Sequence, residues 1–177
     1  LLLLDEPFSN LDTIHKNQMK LVIRDIGEHL EVSCVLVSHD PVDTLSWADE
    51  ILVMRNGKIV QSGSPVQVYR RPADEYVAGL FGKFNLVDPG IFGFALPTPV
   101  LGKKHQQLFL RPDDLVLQTG PETGVIATVK QVGFQGAYFE LELEVAGHKL
   151  IATTLDRYIS SGDKLSVSLC SSQLHYI

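Results

Sequence analysis

The 177 residues are 45% hydrophobic and 20% charged, a globular composition with room for one ordinary domain or two small ones. A net charge of −6 argues against nucleic acid as a partner, because phosphate binding leaves a basic footprint. No stretch approaches the roughly 18 apolar residues of a membrane-spanning helix, and Cys34 and Cys170 form no CxxC pair, suggesting neither a zinc site nor a disulfide framework.

The chain opens on Leu1–Leu4, a continuous apolar run of the kind that marks a parallel strand buried on both faces. Asp5 and Glu6 fall where that strand ends, and Pro7 cannot extend it. The run is too short for a signal peptide and no initiator Met precedes it, so the expectation is a piece of a longer protein. From about Asp12 to Leu30 the period changes. Met19, Val22, Ile23, Ile26 and Leu30 recur three and four apart, Lys16, Lys20, Arg24 and Glu28 lie mainly opposite, and Asp12 is placed to cap the helix. A second apolar run, CVLV, leads into Ser38-His39-Asp40, and Pro41 opens a short helix to about Ala48. Two strands joined by Asn56-Gly57 form a hairpin. Ser64 and Pro65 then start the first of two short helices divided by Pro72. Strand, helix, strand, helix and hairpin in this order predict an α/β unit.

Residues 88–102, with Pro89, Pro97, Pro99 and several glycines, are loop-rich, which puts a domain boundary near residue 83. Beyond it lie several strand-like stretches, clearest where Phe139, Leu141, Leu143 and Val145 alternate with Glu140, Glu142 and Glu144. This pattern predicts a small barrel or sandwich, with the glutamates on a solvated face and not at a metal.

The chemistry concentrates at the strand end. An acid at the carboxyl end of a parallel strand sits where open α/β sheets bind ligands. A second carboxylate beside it can polarise an attacking water as a general base. "LLLLDEP", then "SNLD", then "VSHD" after one helix and one strand, resembles the ATPase subunit of ABC transporters: its Walker B strand, D-loop and switch histidine. The resemblance implies that Asp5 helps hold Mg²⁺, usually through water, and that Glu6 is the catalytic base. It implies that Ser9, Asn10, Leu11 and Asp12 form the D-loop facing a second subunit, and that His39 contacts the γ-phosphate and the catalytic water. His15, His29, His105, His148 and His175 have no such context and read as surface or structural residues. No GxxxxGK[ST] phosphate loop, glutamine-containing loop or LSGGQ-like signature is found in the 177 residues.

"EYVAGLFGKFNLVD" with "FLRPDDLVL" is similar to the accessory region of importer ATPases for sulfate, maltose, polyamines or ferric iron, where a small OB-like barrel called TOBE follows the nucleotide domain. Arg111-Pro112-Asp113 matches that family's RPE-like signature with Asp in place of Glu. It reads as a regulatory or dimer-contacting segment, or equally as a proline-fixed strand start with an Arg–Asp surface pair.

The expectation is therefore the C-terminal portion of an α/β P-loop NTPase over residues 1–82, followed by an all-β OB-like barrel over 83–177. The resemblance implies an ATP-hydrolysing subunit of a bacterial-type importer that uses ATP and Mg²⁺. Its partners would be a second copy and membrane permease subunits at the cytoplasmic face of the membrane, and its cargo points toward ferric iron or polyamine. Without a phosphate loop, the chain by itself is expected to be inactive. The alternative is a non-catalytic regulatory and dimerisation module.

Overall fold

A computed structural model describes residues 1–93, 107–118, 124–170 and 174–177. Pro97, Pro99 and His105 lie outside the described residues. The chain divides into two compact units, Leu1–Tyr69 and Arg70–Ile177.

In the first unit, β1 (Leu2–Asp5) pairs in parallel with β2 (Cys34–Val37), in a register that sets Asp5 opposite Val37. The crossover between them is α1 (Thr13–Leu30). Asp12 caps it as the sequence predicts, accepting a hydrogen bond from the His15 amide at 3.0 Å. Glu31 ends the helix in the left-handed conformation, φ 50°, and donates its backbone N–H to the Gly27 carbonyl. Two burial expectations are corrected. Leu3 is 68% and Val37 54% exposed, because a sheet of two strands leaves one of its faces open. On α1 only Ile23 is buried, while Met19, Val22, Ile26 and Leu30 remain exposed.

After α2 (Pro41–Leu45), β3 (Ile51–Arg55) and β4 (Lys58–Gly63) form the expected hairpin. Asn56 and Gly57 both have positive φ, 52° and 74°, the type I′ geometry that matches the twist of paired strands. Ser64 and Gln67 then make a reciprocal capping box: the Ser64 amide donates to Gln67 Oε1 at 3.0 Å, and the Gln67 amide donates to Ser64 Oγ at 3.3 Å. This box starts α3 (Pro65–Arg70).

The second unit begins with α4 (Glu75–Leu80), capped by Asp74, whose carboxylate accepts from the Val77 amide at 3.0 Å. An antiparallel sheet follows in the order β12 (His175–Tyr176), β6 (Leu108–Leu110), β5 (Asn85–Val87). A second antiparallel sheet runs β10 (His148–Thr154), β9 (Phe139–Val145), β8 (Val125–Phe134), β11 (Lys164–Leu169), β7 (Leu115–Gln118). One apolar core lies between them, including Val87, Leu108, Leu110, Val129, Leu141, Leu143, Leu150 and Val167. Asn85 stitches the sheets: its side chain donates to the Ile151 carbonyl at 2.8 Å and accepts from the Ile151 amide at 2.7 Å. The described strands thus form a two-sheet half-barrel. The outward glutamates of β9 pair with lysines: Glu140 with Lys83, Glu142 with Lys149 and Glu144 with Lys130, at 2.7–2.8 Å.

The units divide earlier than the loop-rich boundary near residue 83. Within the second unit, the fully buried guanidinium of Arg111 donates through Nη1 to the carbonyls of Ala78, Gly82 and Lys83, each at 3.1 Å. The end of α4 is thereby tied to the β-sheet unit. Among the described residues, no helix is long and apolar enough to cross a membrane.

Candidate functional site

The parallel pairing of β1 and β2 brings their carboxyl ends side by side. Past the last paired residues, the Glu6 amide donates to the Val37 carbonyl at 2.9 Å, so the two chains leave the sheet together. Glu6 then turns with φ 47°, a left-handed conformation uncommon for a residue with a Cβ. His39 lies two residues beyond β2, and its Nδ1 is 2.8 Å from Glu6 Oε1. Two of the residues that the sequence singled out for chemistry, Glu6 and His39, 33 positions apart, are therefore in contact.

The environment is asymmetric. The His39 side chain is 79% exposed and that of Glu6 34%. Hydrogen bonding to Glu6 and then the carboxylate's charge hold the imidazole above its ordinary pKa. In the protonated ring both nitrogens donate, so in that form Nε2 is a donor while Nδ1 holds Glu6. Asp5 is exposed at the end of β1, and no ion pair to it is found among the described residues. A hard carboxylate oxygen at this place suits Mg²⁺.

The segment after Glu6 folds on itself. The Ser9 amide donates to the Glu6 carbonyl and the Leu11 amide to the Phe8 carbonyl, both at 3.2 Å. Phe8 is buried, whereas Ser9, Asn10 and Asp12 are exposed and Leu11 is half-buried. Asp12 faces His15, with Oδ2 2.8 Å from Nδ1, and its bond from the His15 amide holds the Asp12 carboxyl below the usual carboxylate range.

Sequence reasoning did not find the ionic cluster behind the pair. Lys16 Nζ lies 2.9 Å from Asp40 Oδ2 and 3.4 Å from Asp43 Oδ2, and Lys20 Nζ lies 3.0 Å from Asp43 Oδ1. The Asp43 side chain is only 3% exposed. The one available signal was the i, i+4 spacing of Lys16 and Lys20, which reads equally well as an ordinary polar helix face.

In the second unit, Arg111 and Asp113 are not paired with each other. Arg111 binds the carbonyls after α4 and stacks over Phe109, 5.0 Å from the ring centroid. Asp113 and Asp114 instead take the guanidinium of Arg70. Of the other histidines, His29 pairs with Asp25, His148 is exposed, and His175 Nε2 lies 2.8 Å from the Pro72 carbonyl.

Comparison with known proteins matches residues 108–177 to the TOBE domain family. The chain is 34% identical over 98% of its length to an uncharacterized ABC transporter ATP-binding protein, y4fO of Sinorhizobium fredii, covering 50% of that protein. It is 29% identical to the Fe(3+) ions import ATP-binding protein FbpC 1 of Pectobacterium atrosepticum, over 85% of the chain and 46% of the relative. Identity to the spermidine/putrescine import ATP-binding protein PotA of Borreliella afzelii is also 29%, over 99% of the chain and 53% of the relative. The chain spans about half the length of the curated relatives it matches. Residues 108–177 thus match a TOBE domain, and the chain as a whole is similar to about half the length of ABC transporter ATP-binding proteins.

Proposed function

We propose that this chain contributes the hydrolysis side of the ATP site in an importer subunit, as the C-terminal part of its P-loop NTPase domain and the domain that follows. The contact between Glu6 and His39 at the paired strand ends carries the reading. Glu6 accepts the proton of the attacking water, and His39 Nε2 donates to a γ-phosphate oxygen while Nδ1 orients the base. Asp5 would help hold Mg²⁺, usually through water, and the ion would supply neutralisation of phosphate charge. Ser9 to Asp12 face a second copy, and the subunit works with membrane permease subunits at the cytoplasmic face. Relatives named for iron and polyamine import support one of these as cargo. Arg111 and Asp113, at the base of the β-sheet unit, are proposed to have a regulatory part, and nucleic acid is not proposed as a partner.

In the intact protein, Glu6→Gln is expected to retain Mg-ATP binding and lose turnover by about 100-fold or more, within the range general-base removal produces. Steady-state hydrolysis by that variant at the parent rate would remove Glu6 from the role of base. The 177 residues alone, which contain no GxxxxGK[ST], are expected to bind ATP negligibly by calorimetry.

A further inference from the structure

His39 has little packing of its own to fix it against Glu6. His39 is the more exposed partner, and the backbone at Glu6 adopts a left-handed turn. The geometry of the pair must therefore be set by what anchors the two segments that carry it. Both are anchored on the same turns of α1.

On the Glu6 side, Phe8 is 1% exposed, and Lys20 Nζ sits 5.6 Å from its ring centroid. On the His39 side, Asp40 follows directly in sequence; its amide donates to Ser38 Oγ at 3.1 Å, and its carboxylate accepts from Lys16 Nζ at 2.9 Å. Asp43, at the start of α2, joins the two lysines, with Lys20 at 3.0 Å and Lys16 at 3.4 Å. A carboxylate as buried as Asp43 is tolerable only when paired, so the cluster has one favourable arrangement and resists sliding. Helix α1 thus grips the segment after β1 through Lys20 and the segment after β2 through Lys16.

We infer that Lys16, Lys20 and Asp43 are positioning residues that set the approach of His39 to Glu6, and so control turnover without contacting nucleotide. This inference rests on the proposed roles of Glu6 and His39. Displacing a catalytic group by about 1 Å can cost on the order of 100-fold in rate, so a clamp of this kind acts on kcat.

The test uses the intact protein. Lys16→Met is expected to lower kcat for ATP hydrolysis about tenfold or more while leaving KM for ATP within about twofold. Lys16→Arg, which keeps the charge and the reach, is expected to restore most of the rate. Asp43→Asn is expected to act on the same quantity, with a Lys16→Met/Asp43→Asn double variant losing less than the product of the single losses. An unchanged kcat in Lys16→Met, an equal loss in Lys16→Arg, or strict multiplicativity in the double variant overturns the clamp. If Asp43→Asn does not fold, the two Lys16 variants decide alone. Glu6→Gln measured alongside separates the two ideas: normal turnover there defeats the base assignment, whereas its loss with normal Lys16→Met turnover defeats only the clamp.

Discussion

At the scale of single residues, the decisive contact is a hydrogen bond between two side chains that are both accessible to water. The imidazole of His39 gains from Glu6 first a hydrogen bond and then a charge, and both favour its protonated form. A raised folded-state pKa has a definite sign. The pair's stabilisation is fully present below the ordinary imidazole value and is lost as pH rises through the raised value. Because His39 is exposed, solvent screens the pair and its effect on global stability is small. The observable is the titration itself: NMR of the His39 ring is expected to report a pKa above the ordinary value, and Glu6→Gln to lower it. An identical titration in the two proteins would show that the contact is not formed in solution. Arg111 is the contrasting residue. Its charge is buried and its Nη1 donates to three backbone carbonyls, so it acts as a structural tie between α4 and the strand that follows Gln107.

At the scale of elements, local signals carried most of the folding instructions in places where a single residue does a single task. Asp12 caps α1, Ser64 and Gln67 cap α3 reciprocally, and Asn56-Gly57 turns the hairpin. Asp74 does the same for α4, a helix of six residues that also buries Val77 and Ala78. Asp74→Ala is expected to cost about 1 kcal/mol in urea denaturation, the usual value of a lost N-cap. A change within error would mean that tertiary contacts alone hold α4. In β9 the alternation was equally legible: Leu141, Leu143 and Val145 are buried, and the glutamates between them meet Lys83, Lys130 and Lys149. Period-two patterning fixes which face is inside, but which glutamates Lys130 and Lys149 meet depends on the register of the neighbouring strands.

At the scale of the whole molecule, the chain forms two compact units, and the line between them follows packing more than composition. Prolines and glycines after residue 88 mark a loop, yet Val77 and Ala78 are fully buried and Arg111 binds the carbonyls of residues 78–83. A protein beginning at Arg70 is accordingly expected to unfold cooperatively. One beginning at Lys83 loses two of the three carbonyl partners of a buried guanidinium, and is expected to be less stable by on the order of 3 kcal/mol. Equal urea midpoints for the two would refute the tie through Arg111. The first unit carries the opposite lesson. Its strands and its long helix form where the pattern predicts, but much of the apolar surface of β1, β2 and α1 remains exposed.

The sequence by itself pointed to an α/β part followed by a β part, to the helix starts at Asp12 and Ser64, to the Asn56-Gly57 turn, and to the candidate residues Asp5, Glu6 and His39, because each rests on local chemistry or a short motif. Only the tertiary structure decided that Glu6 touches His39, that Lys16 and Lys20 converge on Asp43, and that Arg111 turns inward and leaves Asp113 to Arg70. These contacts join residues distant in the chain, set by the parallel register of β1 with β2 and the return of β6 alongside β5. No local pattern of charge or hydropathy encodes which of several equally placed lysines or carboxylates will meet. Partner choice is a property of the packed fold.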